Sequence, residues 1–198
     1  ALGVLSMDTT VRASHGMAVT GLLDTFGLPG ATHPVTQAAN SDVVVLVGCN
    51  PGQTTPALCR FLDRVRERRG NVIVIDPRRS ETIKKDDIWL QLRPGTDNAV
   101  LGAFIHWILQ YAQIPVDQLI KQSDAPNIVL SEIMGAYERH KSGKYKNWKK
   151  VDATLSEPYS IFQRMKNHFE RYDLDKITRI SGVDIHLLRR ACTLLART

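Results

Sequence analysis

Three short polar segments carry the side chains best suited to chemistry: GCNPGQTT at 48–55, DPRRSE at 76–81 and RPGTD at 93–97. Each follows an apolar run and stops it abruptly. In the first segment Gly48 and Gly52 let a backbone come close to a ligand. Gln53, Thr54 and Thr55 add amide, hydroxyl and main-chain donors at an expected helix start, a natural seat for phosphate. In the second, Asp76 can accept from a ribose or from the amidine edge of a guanine, and Arg78 and Arg79 supply fixed positive charge and planar donors. In the third, Gly95, Thr96 and Asp97 bring another carboxylate. Taken singly, the first is an ordinary polar turn and the second a salt-bridge cluster with Glu81. In order along one edge, two carboxylates beside arginines suit a guanine nucleotide with a pyrophosphate. A GxGxxG fingerprint is absent, which argues against a plain NAD or FAD site.

The elements that must position these turns follow from the apolar pattern. Val43–Val47, Val72–Ile75 and Ile88–Leu92 read as short buried strands. Between the first two, Thr55 and Pro56 open a helix that ends before Gly70, with Leu58, Phe61, Leu62 and Val65 on one apolar face. After the third, a long helix begins at Thr96 or Asp97, either of which can cap it. Strands alternating with helices predict an α/β fold, a parallel-sheet, Rossmann-like three-layer domain with a helical C-terminal part. In such sheets ligands sit outside the carboxyl ends of the strands, where all three polar segments fall. A short helix is expected over 17–26, ended by Gly27, Pro29 and Gly30. Further helices are expected over Val116–Lys121, Tyr159–Tyr172 and Asp184–Ala196. In the Tyr159–Tyr172 helix, Ile161, Phe162, Met165 and Phe169 form a stripe that reads as core. Residues 138–157 read as an insertion loop, and 1–198 as a single domain.

Composition removes several functions. The 198 residues contain 43% apolar residues, as in a globular domain. Ala99–Ala112, the longest apolar segment, contains His106 and Gln110 and is shorter than the roughly 20 residues of a membrane span. It reads as a buried helix, so no direct membrane span is expected. Ala1–Gly16 has no basic region leading into an apolar core, so it does not read as a signal peptide. The chain opens on Ala1 and reads as a processed or excised piece. Cys49, Cys59 and Cys192 form no CxxC pair, so neither structural zinc nor an iron–sulfur cluster is expected within this segment. The formal net charge is +6. Arg139–Lys150 alone holds six Lys/Arg and no acid, so the excess reads as one solvated or docking stretch, with Tyr145 and Trp148 in it, and not as a nucleic-acid face. His33 and His140 read as surface residues, and His106, His168 and His186 as structural helix residues.

The strings GCNPGQTTP, VIVIDPRRSET and DIWLQLRPGTDNAVL, in that order, closely resemble the molybdopterin oxidoreductases, the family that contains formate dehydrogenases and dimethyl sulfoxide reductase. Its usual patterns are near GxNPAxxHP, VxDPRxTxTA and LxxxPGTDxAL. Upstream, VRASHGMAVTGLLDTFG resembles the formate dehydrogenase segment that leads from Arg, any residue, Cys or selenocysteine and His into a helix. Downstream, YSIFQRMKNHFERYDLDKITRISG is similar to the respiratory and periplasmic formate dehydrogenase catalytic subunits. The resemblance implies a domain holding one of two molybdopterin guanine dinucleotides around molybdenum or tungsten. It implies that Gly48, Asn50, Gln53 and Thr54 line the dinucleotide phosphates, that Asp76 and Arg78 meet the guanosine, and that Gly95 and Asp97 complete that edge. It places Ser14 at the metal and His15 beside it as the catalytic histidine.

Ser14 stands where a formate dehydrogenase has Cys or selenocysteine, a soft ligand, and serine is the harder ligand of the dimethyl sulfoxide reductase branch. Thr55 replaces the first loop's usual His. Three readings follow from these departures: a formate dehydrogenase-type domain, a serine-ligated S- or N-oxide reductase, or a scaffold module that lost its metal ligand. The resemblance further implies iron–sulfur clusters elsewhere, remaining domains of the same subunit, an iron–sulfur partner subunit, formate as substrate and a periplasmic prokaryotic location. By itself this piece is expected to be inactive.

Overall fold

The computed structural model describes residues 8–122 and 153–197. Its sheet has strands β1 (Val43–Val47), β2 (Asn71–Ile75) and β3 (Ile88–Leu90), all parallel, in the order β1-β2-β3. Val, Ile and Leu fill these runs because branched side chains pack well on a pleated surface covered on both faces. Val47 pairs with Ile75, and Ile75 with Leu90. All three strands therefore finish level, and the three polar segments leave one edge.

Alternation along β2 separates two cores. Val72 and Val74, with Leu46, face helix α4 (Pro56–Glu67) and pack on Leu62 and Val65, both fully buried. Ile73 and Ile75, with Ile88 and Leu90, face the other way. They meet Val100, Ala103 and Phe104 of α5 (Asp97–Tyr111), Ile177 of α8 (Leu174–Ser181), and Leu188, Ala191 and Cys192 of α9 (Ile185–Arg197). Helix, sheet and helices make the three layers expected of an α/β fold. The β2–β3 connection (76–87) contains no helix. It stays on the α4 side, where Ile83 joins the smaller core.

The N-terminal helices α1 (Thr10–Ser14) and α2 (Gly16–Phe26) pack on each other. No side chain of α2 is buried, and Met17, Leu23 and Phe26 are exposed.

Several expectations change. A one-turn helix, α3 (Pro51–Thr54), precedes α4, and α8 was not expected at all. Helix α8 runs over only two turns, too short for periodicity to stand out, yet Asp173 caps it and Gly182 ends it in the left-handed conformation. The expected core stripe of Ile161, Phe162, Met165 and Phe169 lies on α7 (Ile161–Phe169), which buries none of its residues. Helix α7 touches α5 and the turn Glu170–Tyr172, which leaves Ile161, Phe162 and Phe169 half-buried and Met165 exposed. Helix α5 is buried only over Val100 to Phe104, so the long apolar segment is a half-covered helix. The Thr96 hydroxyl donates to the Arg93 carbonyl and caps no amide of α5. Residues 138–152, with His140, Tyr145 and Trp148, lie outside the described residues. From 153 on, that stretch is anchored: Leu155 is buried and its carbonyl accepts from Gln163 Nε2 at 2.6 Å. Helix α6 (Val116–Gln122) precedes the undescribed stretch.

Candidate functional site

The first turn begins as a continuation of the sheet: the Gly48 N–H donates to the Ile75 carbonyl at 3.0 Å. The chain then reverses through Gly48 at φ 57°, a left-handed conformation that an L side chain strains. This delivers Asn50 to a position where it is only 9% exposed. The Asn50 carbonyl accepts from the amides of Gln53 and Thr54 and from the Thr54 hydroxyl, at 3.0–3.1 Å. The Thr55 amide donates to Pro51 O. The helix-start donors expected to seat phosphate are thus committed within the turn. What Gln53 keeps for a ligand is its exposed carboxamide.

The second turn is fastened to the first through Thr82, a buried residue that sequence reasoning missed. Its hydroxyl oxygen accepts from Gly52 N–H at 3.0 Å and its proton is donated to Asn50 Oδ1 at 2.6 Å. A Cβ on Gly52 would come within 3.0 Å of Glu81 Cγ and 3.2 Å of Thr82 Oγ1, so the two turns are in close contact. Behind Thr82, Arg66 of α4 donates to the Thr82 carbonyl at 3.0 Å and pairs with the buried Asp87 at 2.6 Å. Burial works against the Arg66 charge. The hydrogen bonds and charges of Asp87 and Asp63 outweigh that and raise its pKa above the ordinary value. At the strand end, Asp76 Oδ1 accepts from Arg78 N–H at 2.8 Å. The Asp76 carbonyl accepts from Trp89 Nε1 at 2.9 Å, and the Arg79 guanidinium lies 5.9 Å from the Trp89 ring centre.

The third turn is tied to the second by Gln91 Nε2, which donates to Pro77 O at 3.1 Å. Arg93 holds it from the other side. Its amide donates to Ser181 O at 2.7 Å, and its Nη1 donates to Arg179 O and Ile180 O, the carbonyls that close α8. Gly95 has φ 83°, and Asp97, half-buried, opens α5.

Gly48, Asn50, Gln53, Thr54, Asp76, Arg78, Gly95 and Asp97 therefore lie along one edge, on turns that hydrogen bond to one another. Ser14 and His15 are not drawn into this network. The Ser14 hydroxyl donates to Thr10 O at 2.8 Å, the His15 amide donates to Val11 O, and both residues are exposed at the α1–α2 junction. Among the described residues no group of three or more His, Cys, Asp or Glu is placed to hold a metal ion.

The rim has the properties of an interrupted binding surface. Two buried polar atoms there have no hydrogen-bond partner: Asn50 Nδ2 and Ser80 Oγ, one on each of the first two turns. An unpaired buried donor is costly, so a ligand that supplied acceptors would relieve that cost. These atoms and the flanking Arg78 and Arg79 fit an anionic ligand. Partial burial pushes the Cys49 thiol up, a backbone hydrogen bond at Val47 partly opposes this, and the Asp76 carboxylate adds a smaller rise. A separate groove at the far end of α5 is lined by Trp107, Tyr111, Ile114, Leu119 and Arg197, with no carboxylate or histidine among the described residues that line it.

A family model described as molybdopterin oxidoreductase matches residues 6–132. The chain is 30% identical over 203 residues to the formate dehydrogenase subunit alpha of Megalodesulfovibrio gigas, covering 94% of this chain and 20% of that protein. It is 26% identical over 214 residues to the nitrate-inducible formate dehydrogenase major subunit of Escherichia coli strain K12, covering 100% of this chain and 21% of that one. This chain thus spans about a fifth of the length of the curated relatives it matches. Among solved structures, acetylene hydratase from Pelobacter acetylenicus aligns with a TM-score of 0.51 at 20% identity, over 81% of this chain and 19% of that one, a likeness of fold alone.

Proposed function

The chain belongs to the molybdopterin oxidoreductase family, and from that premise we propose that it is a cofactor-binding domain of a formate dehydrogenase-type catalytic subunit. Family membership implies a molybdopterin with molybdenum or tungsten. The finer assignment, a guanine dinucleotide form, is our reading of the rim. Asn50 Nδ2 and Ser80 Oγ, unpartnered at the junction of the first two turns, are the observation that carries it. On this reading Gly48, Asn50, Gln53 and Thr54 follow the phosphates, Asp76 and Arg78 meet the guanosine, and Gly95 and Asp97 close the edge. When bound, the group supplies two-electron chemistry, and formate leaves as carbon dioxide and a proton.

The chain's own part is to orient that group by fixed donors and to shield its polar tail from water. Ser14 is assigned to the metal side and His15 to accepting the proton. The electrons leave through iron–sulfur clusters in other parts of the enzyme and an iron–sulfur partner subunit. The downstream resemblance to respiratory and periplasmic subunits supports a periplasmic site of action. No helix among the described residues is long and apolar enough to cross a membrane.

The test uses the intact subunit that contains this chain. Oxidised extracts should yield a guanine-tailed pterin, metal analysis should yield molybdenum or tungsten, and formate should reduce a viologen dye. An active preparation with neither metal nor pterin would overturn the reading. Reduction of S- or N-oxides without formate oxidation would replace it by the serine-ligated alternative. Ser14→Cys is expected to raise formate oxidation.

A further inference from the structure

We propose that Thr82 is a positioning residue that fixes the rotation of the Asn50 carboxamide and so aims its Nδ2 donor at the ligand. The inference rests on the reading of the rim given above. Its grounds are geometric. The Asn50 side chain is buried and has two ends with opposite demands. One end, Oδ1, accepts from Thr82 at 2.6 Å, and the other, Nδ2, is buried without a partner. Thr82 Oγ1 already accepts from Gly52 N–H at 3.0 Å. The orientation that gives the hydroxyl proton an acceptor is the one with Oδ1 toward Thr82. A half-turn of the carboxamide would set Nδ2 against a hydroxyl already receiving one N–H and would present an acceptor to the anionic ligand.

Thr82 is itself immobilised from behind. Arg66 Nη2 donates to the Thr82 carbonyl at 3.0 Å and also to Asp87 Oδ2 at 2.6 Å, and Arg66 Nε donates to Asp87 Oδ1 at 3.0 Å. The bidentate pair resists rotation better than a single contact does. A buried ion pair on α4 thereby holds the threonine that orients the asparagine, and only the last of these residues touches the ligand.

The experiment compares cofactor release from the intact, loaded subunit with the melting point of the same subunit freed of cofactor. The pterin released is followed by the fluorescence of its oxidised form in Thr82→Val, Thr82→Ser, Asn50→Ala, Asn50→Asp and the Thr82→Val/Asn50→Ala double variant. Loss of one neutral hydrogen bond predicts release about five- to tenfold faster in Thr82→Val. Thr82→Ser should restore release to within about twofold of the wild type, since it retains the hydroxyl. The double variant should release no faster than Asn50→Ala alone, because without the carboxamide Thr82 has nothing to aim.

Effects that multiply in the double variant would overturn the proposal by making Thr82 a general stabiliser. So would Thr82→Val releasing at the wild-type rate while Asn50→Ala releases fast. Wild-type release from Asn50→Ala would instead overturn the assignment of the rim itself. Asn50→Asp keeps the shape and the acceptor for Thr82, so it is measured in case Thr82→Val does not accumulate. It should release faster than Asn50→Ala, and release at or below the Asn50→Ala rate would overturn the donor role of Nδ2.

Discussion

Two arginine–aspartate pairs, one in each half of the proposed site, behave oppositely. Arg66–Asp87 lies behind the strand-end rim with side chains 18% and 2% exposed, and it reaches the ligand turn through Thr82. Arg12–Asp8 lies two residues before Ser14, with side chains 77% and 54% exposed, and holds only its own helix. The strand-end rim is built from contacts within this chain. The Ser14–His15 segment has its hydrogen bonds inside α1 and α2 and no buried side chain in α2. On the proposed reading the tail of the cofactor would meet preorganised groups here, whereas the Ser14–His15 end is left exposed by the described residues.

The largest break in that contrast comes from Arg66→Met. It leaves the Asp87 carboxylate buried without its guanidinium, and removing one partner of a buried pair costs about 3 kcal/mol or more. Chemical unfolding of this chain should show a loss of that order. Equal stability would place the support of the rim elsewhere. Gly48→Ala comes next. A left-handed Cβ costs about 1–2 kcal/mol, and the strain falls on the turn that carries Asn50. Unfolding should report that loss, and no loss would mean that the turn does not need the left-handed conformation.

This contrast also explains what could be read from sequence. The three strands and their common edge were legible because buried parallel strands are continuous β-branched runs that end in turn residues. The eight rim positions were legible through the order of the three strings. Thr82, Ser80 and Arg66 were not. Thr82 bonds to Asn50 across 32 positions and Arg66 to Asp87 across 21, separations that no local pattern encodes. The partner of Arg66 lies on the connection after β2, not on α4 itself. The α7 stripe is only half covered for a different reason: amphipathic spacing says which side of a helix is apolar, not how much of it the described residues cover.

Core and surface also separate by pH. Burial pushes the Cys192 thiol up to about 12, partly opposed by a backbone hydrogen bond. The folded chain then holds this proton more tightly than the unfolded chain does. Its contribution is complete below the ordinary thiol range and is lost as pH rises from about 9 toward about 12. The slope is bounded by one proton, about 1.4 kcal/mol per pH unit. Unfolding midpoints of the wild type and of Cys192→Ala, compared through this window, should converge as pH rises. Parallel curves would show that the thiol titrates the same way in both states.

The smallest effect is expected at the other pair. The Arg12 guanidinium, and after it the Thr9 amide, hold the Asp8 carboxyl below its ordinary value. By sign, any stability this gives is present above the unfolded carboxyl pKa and is lost as pH falls through the folded one. Both partners are in water, where screening and the ordering of two long side chains consume most of the attraction. Asp8→Asn should therefore leave the unfolding midpoint of this chain unchanged, and raising salt should not distinguish it from the wild type. The same substitution in the intact subunit sharpens the contrast. If surrounding domains bury α1, the pair loses its water, and Asp8→Asn should then slow formate oxidation through Arg12, two residues from Ser14. An effect already visible in the isolated chain would mean that the Ser14 segment is organised here after all.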